Sequence, residues 1–115
     1  MTRVLVMTDS TCDLPRIWLE RYDIRVVPTY VQFGLESLAD DGVQLTRDDF
    51  YRRLALTHES AKTSAPPVGQ VLEVMRQALA QADHVIALTA PARLSAIFNT
   101  FRLAAEQTAP DRVTL

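Results

Sequence analysis

A chain of 115 residues is long enough to build one hydrophobic core and too short for two. Its 12 basic and 14 acidic residues leave a net charge of -2, so no long-range field draws it to nucleic acid or to an anionic membrane. Cys12 is the only cysteine and has no internal disulfide partner, and the apolar runs Val4 to Met7 and Val85 to Leu88 fall far short of the roughly 20 residues a transmembrane helix needs. A cytoplasmic protein without a membrane span is expected.

Val4 to Met7 is apolar without alternation, which predicts a strand buried on both faces of a parallel sheet. Thr8 to Asp13 breaks the run. Asp13 is placed to cap a first helix, Pro15 suits its first turn, and Leu14, Trp18 and Tyr22 recur along one face. Ile24 to Val27 reads as a second strand that Pro28 interrupts, with Tyr30 to Phe33 extending it to Gly34. Leu35 to Gly42 reads as a loop closing on the Asp41-Gly42 turn. Thr46 caps a second helix, with Asp49 approximating a capping box and Leu45 and Phe50 at staple spacing.

Thr57 to Pro67 reads as a polar loop, and Val71, Met75 and Ala78 form the apolar stripe of a third helix. Val85 to Leu88 is a further strand, Ala92 to Gln107 keeps helical spacing, and Val113 to Leu115 begins a last strand. The order β-α-β-α-α-β-α-β predicts an α/β fold: a mainly parallel sheet, right-handed crossovers and helices on both faces.

In such sheets ligands collect beyond the carboxyl ends of the strands. Asp9-Ser10-Thr11, Lys62-Thr63-Ser64 and Thr89 to Ser95 are expected there, all rich in hydroxyls, two of them at helix starts where free N–H groups favour an anion. The same residues also suit simple capping and turn roles. Gly34, Gly42 and Gly69 are scattered and match no phosphate-binding loop. Asp9 after an apolar strand fits a phosphotransferase or hydrolase nucleophile, though without a second acid beside it to hold a metal. His58 and His84 supply no evident base for a serine relay, and one cysteine with two histidines makes no zinc spacing. No cofactor or metal site is expected.

Five segments in register resemble the DegV family over nearly the whole chain. Val6 to Pro15 is similar to its opening strand and D-S-T-x-D-L-P turn, and Val26 to Val31 to its V-V-P-L-Y-V strand. Asp41-Gly42-Val43 and Asp49-Phe50-Tyr51 continue the match. Lys62 to Pro66 resembles K-T-S-Q-P, and Arg93-Leu94-Ser95 with Arg102 to Ala105 resembles the K-L-S-G-T segment and its helix. The resemblance implies an amino-terminal α/β domain over 1–115, shortened and lacking the carboxy-terminal domain.

It further implies a non-enzymatic carrier that holds one long-chain fatty acid in a tunnel between two domains and presents it to a fatty acid kinase. Carried over by motif, Thr63 and Ser95 hold the carboxylate, with Ser64 and Ser10 behind them. Ala65 stands in place of glutamine, and Ala96-Ile97 in place of Gly-Thr, which removes a hydroxyl at 97. Tyr30, Phe33, Ile97 and Phe98 are candidate lining for the acyl chain. A missing second domain also leaves an apolar face through which the half-domain is free to self-associate as a scaffold.

Overall fold

A computed structural model of the chain describes residues 1–58 and 60–115. Strands β1 (Val4–Asp9), β2 (Arg25–Val27), β6 (His84–Leu88) and β7 (Val113–Thr114) form a parallel sheet in the order β2-β1-β6-β7. A second sheet is antiparallel, with β3 (Tyr30–Phe33) between β4 (Glu36–Ala39) and β5 (Lys62–Ser64). The helices are α1 (Arg16–Arg21), α2 (Arg47–Leu56), α3 (Val68–Gln81) and α4 (Ile97–Gln107). The expected mainly parallel α/β fold is present, and the small antiparallel sheet is added to it.

The core lies between the parallel sheet and α3 and α4. Val71, Met75 and Ala78 of α3 are fully buried, as their stripe predicts, and face Phe101 and Ala104 of α4 and Leu5, Met7 and Val85 of the sheet. Each large apolar side chain so buried contributes about 1.5–3 kcal/mol. The other sheet face is different. Ile86 and Leu88 keep 37% and 58% of their surface exposed and Val4 is also exposed, so the predicted double-sided burial of these strands does not hold. The reason is coverage: α1, the helix that connects β1 to β2, has only six residues and buries none of them. Trp18 and Tyr22 stack at 5.6 Å with Arg21 against both rings, and both remain exposed.

Pro28 interrupts the second strand as expected, because it has no N–H to pair, and the chain then leaves the parallel sheet altogether. The predicted loop Leu35 to Gly42 instead contains β4, joined to β3 by a two-residue Gly34-Leu35 hairpin with Gly34 at φ 61°. The predicted loop Thr57 to Pro67, of which Glu59 lies outside the described residues, contains β5. Three- and four-residue strands of this kind are specified by their partner, since too few residues are present to show a period.

Boundaries shift elsewhere for local reasons. Asp13 sits at φ 49° and closes the 3-10 turn Ser10–Cys12, so α1 starts after Pro15. The fourth helix begins at Ile97, because Pro91 first accepts the Leu94 and Ser95 N–H groups in a separate turn. Thr46 caps α2 as predicted, its Oγ1 accepting the Asp49 N–H at 3.1 Å, while the Asp49 carboxylate accepts from Arg52 at 3.2 Å. α2 lies against the hairpin: Phe50 meets Phe33 at 6.0 Å, and Arg53 pairs with Glu36 at 2.6 Å. The Asp41 carboxylate accepts the Val43 and Gln44 N–H groups at 2.8 Å, forming the expected Asp-Gly turn with Gly42 at φ 77°.

Two polar clusters anchor the end of the sheet away from the carboxyl tips. Arg112 donates to the carbonyls of Leu79, Ala82 and Asp83 at 2.7–3.0 Å, satisfying the free C-terminal carbonyls of α3 and tying down the short β7. Arg25 donates twice to the Asp23 carboxylate at 2.8 and 3.0 Å. This hydrogen bond, ahead of the charge of Arg25 itself, holds the Asp23 carboxyl below its ordinary 3.8.

Arg112→Ala is expected to cost about 1–2 kcal/mol in urea unfolding, because three carbonyls lose a charged donor together. The Asp23 pair gives a second expectation. Folding binds the Asp23 proton less readily than the unfolded chain does, so its contribution is present above the ordinary aspartate value and is lost as pH falls through and below it. The Asp23 side chain is 46% exposed, so screening keeps the effect small. Asp23→Asn should flatten the acid limb of the stability profile, and a variant with the wild-type limb would sink this assignment.

Candidate functional site

β1 is paired on both sides, and its carboxyl end delivers Asp9 into the start of a 3-10 turn. Asp9 is 1% exposed, and its Oδ1 accepts both the Thr11 N–H at 2.8 Å and the Thr11 hydroxyl. The carboxylate therefore caps the turn at its own strand end. Asp9 also borders the smaller, apolar cleft described below. Among the described residues no group of three or more His, Cys, Asp or Glu side chains comes together as metal ligands.

Beyond this turn lies a cleft of about 560 Å³. Thr63 and Ser64 reach it from β5, and Ser95 reaches it from the turn before α4. Residues named by motif from two segments 32 positions apart, Thr63 and Ser64 of β5 and Ser95, thus border one space, with the consecutive Thr63 and Ser64 side chains on opposite faces of their strand. The cleft is completed by Thr11, Thr29, Ala65, Ala90, Leu94 and the Ala96-Ile97 pair, and none of these is charged. An anion here would be held by neutral donors alone, with no formal positive charge in the wall.

Thr63 does not stand at a helix start, contrary to expectation. It lies in β5, opposite Val31 in the antiparallel register, with α3 starting only at Val68. Ser95 does precede α4, and its Oγ accepts the Ile97 N–H at 3.2 Å. The hydroxyl hydrogen of Ser95 is left for another acceptor. Ser10 does not line the cleft. Its Oγ is buried behind it, 2.8 Å from the Thr29 hydroxyl and accepting the Thr29 N–H at 2.9 Å.

Of the candidate acyl-chain residues, Ile97 is buried and lines the cleft. Tyr30 and Phe33 are directed elsewhere, Tyr30 to Gln70 at 2.6 Å and Phe33 to Phe50 and Arg53, and Phe98 is half-buried outside the cleft. A second, more apolar cleft of about 330 Å³ opens on the uncovered sheet face between Val6, Leu14, Ile24 and Leu88. The two clefts share Thr11 and Ala90 in their walls. Sequence reasoning did not single out Thr29 as a site residue. The one signal for it is its place after Pro28, where a chain released from one sheet turns into another.

A family model described as the DegV family matches residues 3–115. The chain belongs to the DegV family. A Thermotoga maritima protein described as a fatty acid-binding protein is 31% identical over 107 residues, covering 91% of this chain and 37% of its own. Among solved structures, a DegV family protein from Thermus thermophilus described as binding fatty acid is 34% identical with a TM-score of 0.85, covering 97% of this chain and 39% of that one. A stearic acid-binding protein from Eubacterium ventriosum is 32% identical with a TM-score of 0.81, over 96% of this chain and 38% of that one. The chain thus spans about two-fifths of the length of the DegV proteins it matches.

Proposed function

We propose that this DegV chain binds a long-chain fatty acid through its carboxylate, with Thr63 and Ser95 donating to the head group and Ser64 and Ser10 supporting them. The observation that carries the reading is that hydroxyl-bearing residues of β5 and of the turn before α4 border one uncharged cleft. A carboxylate removed from water needs hydrogen-bond donors, and hydroxyls provide them without closing the cleft to an apolar tail. The adjoining apolar cleft extends the site, and each methylene buried along it adds about 0.8 kcal/mol. Relatives at 30% identity and above that are described as fatty-acid-binding support the same ligand class.

In this reading the protein is a carrier and not an enzyme, and it presents the carboxyl end of its ligand to a fatty acid kinase. The open side of the site is closed by a carboxy-terminal domain corresponding to the length of the relatives that this chain does not match. A cytoplasmic setting suits such a carrier. A single unpaired cysteine is consistent with it, and no helix among the described residues is long and apolar enough to cross a membrane.

The uncovered apolar face, with Ile17, Trp18, Ile86 and Leu88 exposed, also favours association of this half through that face. Light scattering over a range of concentrations is expected to show an oligomer at high concentration, and a monomer throughout would refute self-association.

Organic extraction followed by mass spectrometry is expected to release a fatty acid from the purified protein, or from protein incubated with palmitate. Ser95→Ala and Thr63→Val should each weaken palmitate binding about 10-fold or more, the value of one hydrogen bond to a charged acceptor. Protein that carries no acyl chain and takes up none contradicts the carrier reading. Wild-type affinity in either variant removes that residue from the site.

A further inference from the structure

We propose that Thr29 is a third hydroxyl donor to the bound carboxylate and that Ser10 is the positioning residue that aims it, an inference that rests on the fatty-acid reading above. The cleft hydroxyls are not equivalent once their hydrogens are followed. Thr11 has spent its hydrogen on the Asp9 carboxylate. Ser95 accepts from the Ile97 N–H and keeps its hydrogen for a ligand.

Thr29 is 4% exposed yet lines the cleft, and both its backbone groups are held: its N–H donates to Ser10 Oγ at 2.9 Å, and its carbonyl accepts the Asp40 N–H at 2.8 Å. Its hydroxyl lies 2.8 Å from the same Ser10 oxygen. Two hydroxyls in one contact use one hydrogen between them, so the other needs an acceptor elsewhere. Thr29 borders this cleft, whereas Ser10 does not and instead borders a separate polar cleft. With an anion in the cleft, every hydrogen finds an acceptor when Ser10 donates to Thr29 and Thr29 donates to the anion. Each bond in that chain polarises the next.

Position 97 explains why a donor at 29 matters in this chain. Where the resembled L-S-G-T segment ends in a hydroxyl, Ile97 supplies only methyl groups, and it is buried in the cleft wall. Thr29, in turn, stands where the resembled V-V-P-L-Y-V segment has leucine. One hydroxyl is lost from one wall and another is gained in the facing loop. The donor count is kept, and the geometry of the head-group site changes.

The test compares palmitate with hexadecanol, which has the same tail and a neutral head, on the 115-residue chain. Thr29→Val removes the hydroxyl at nearly constant shape and is expected to lower palmitate affinity about 10-fold while leaving hexadecanol affinity unchanged. Thr29→Ser should restore palmitate binding. The carboxyl carbon of ¹³C-labelled palmitate, followed by NMR across pH, should titrate higher in T29V than in wild type, because a donor to the charged form is gone. Equal palmitate affinity and titration in T29V and wild type overturn the proposal, and so does an equal loss for both ligands, which marks a merely structural role. If T29V does not fold, Ser10→Ala read on the same two ligands decides by the same criterion. Wild-type protein that binds neither ligand overturns the fatty-acid reading itself, and this inference with it.

Discussion

β1 is hydrogen-bonded on both sides, its Met7 to Asp9 with β2 and its Val4 to Thr8 with β6, so the carboxyl end of this strand is held in place from two directions. The rest of the candidate site is built outward from that end. Asp9 closes the turn that follows by accepting Thr11, and the turn sets Ser10 beneath the link from β2 to β3. A carboxylate at the tip of a central strand thus does conformational work. Burying it is tolerable because both a backbone N–H and a hydroxyl satisfy the oxygen that faces inward.

From this anchor the two sheets are joined. Pro28 ends pairing with β1, Thr29 is caught by Ser10, and Tyr30 begins the antiparallel sheet that carries Thr63 and Ser64. The hydroxyl-lined cleft lies where β5 of the small sheet meets the turn before α4. Its walls come from β5, from the start of α4 and from loops that follow β1, β2 and β6, so its width depends on how the two sheets are held together. The Ser10–Thr29 contact therefore belongs to fold and site alike.

The molecule is asymmetric in how it treats its own sheet. α3 and α4 seal one face with Phe101, Met75 and Val71, and α1 only partly shades the other. The exposed aliphatic side chains there adjoin the apolar cleft, which shares the wall residues Thr11 and Ala90 with the hydroxyl-lined cleft. Polar donors and apolar surface are thus placed on neighbouring sides of the same two residues.

Periodicity was sufficient for α3, where Val71, Met75 and Ala78 recur at helical spacing, and for α2, where the Thr46 cap is local chemistry. β1 and β6 were legible as strands because four-residue apolar runs with turn signals have few other solutions. The motif order Asp9-Ser10-Thr11, Lys62-Thr63-Ser64 and Leu94-Ser95 was enough to indicate the family and to nominate the hydroxyls. β4 and β5 were not legible, because strands of three or four polar and apolar residues acquire their conformation from a neighbour in space. The exposure of Ile86 and Leu88 was hidden for a related reason: an apolar run does not reveal whether anything covers it. What only tertiary structure decided is which hydroxyls meet and which hydrogens are free. Thr29 borders the cleft, Thr11 donates to Asp9 and Ser10 is bonded to Thr29, because hydrogen bonding is set by distances between segments and not by their order along the chain.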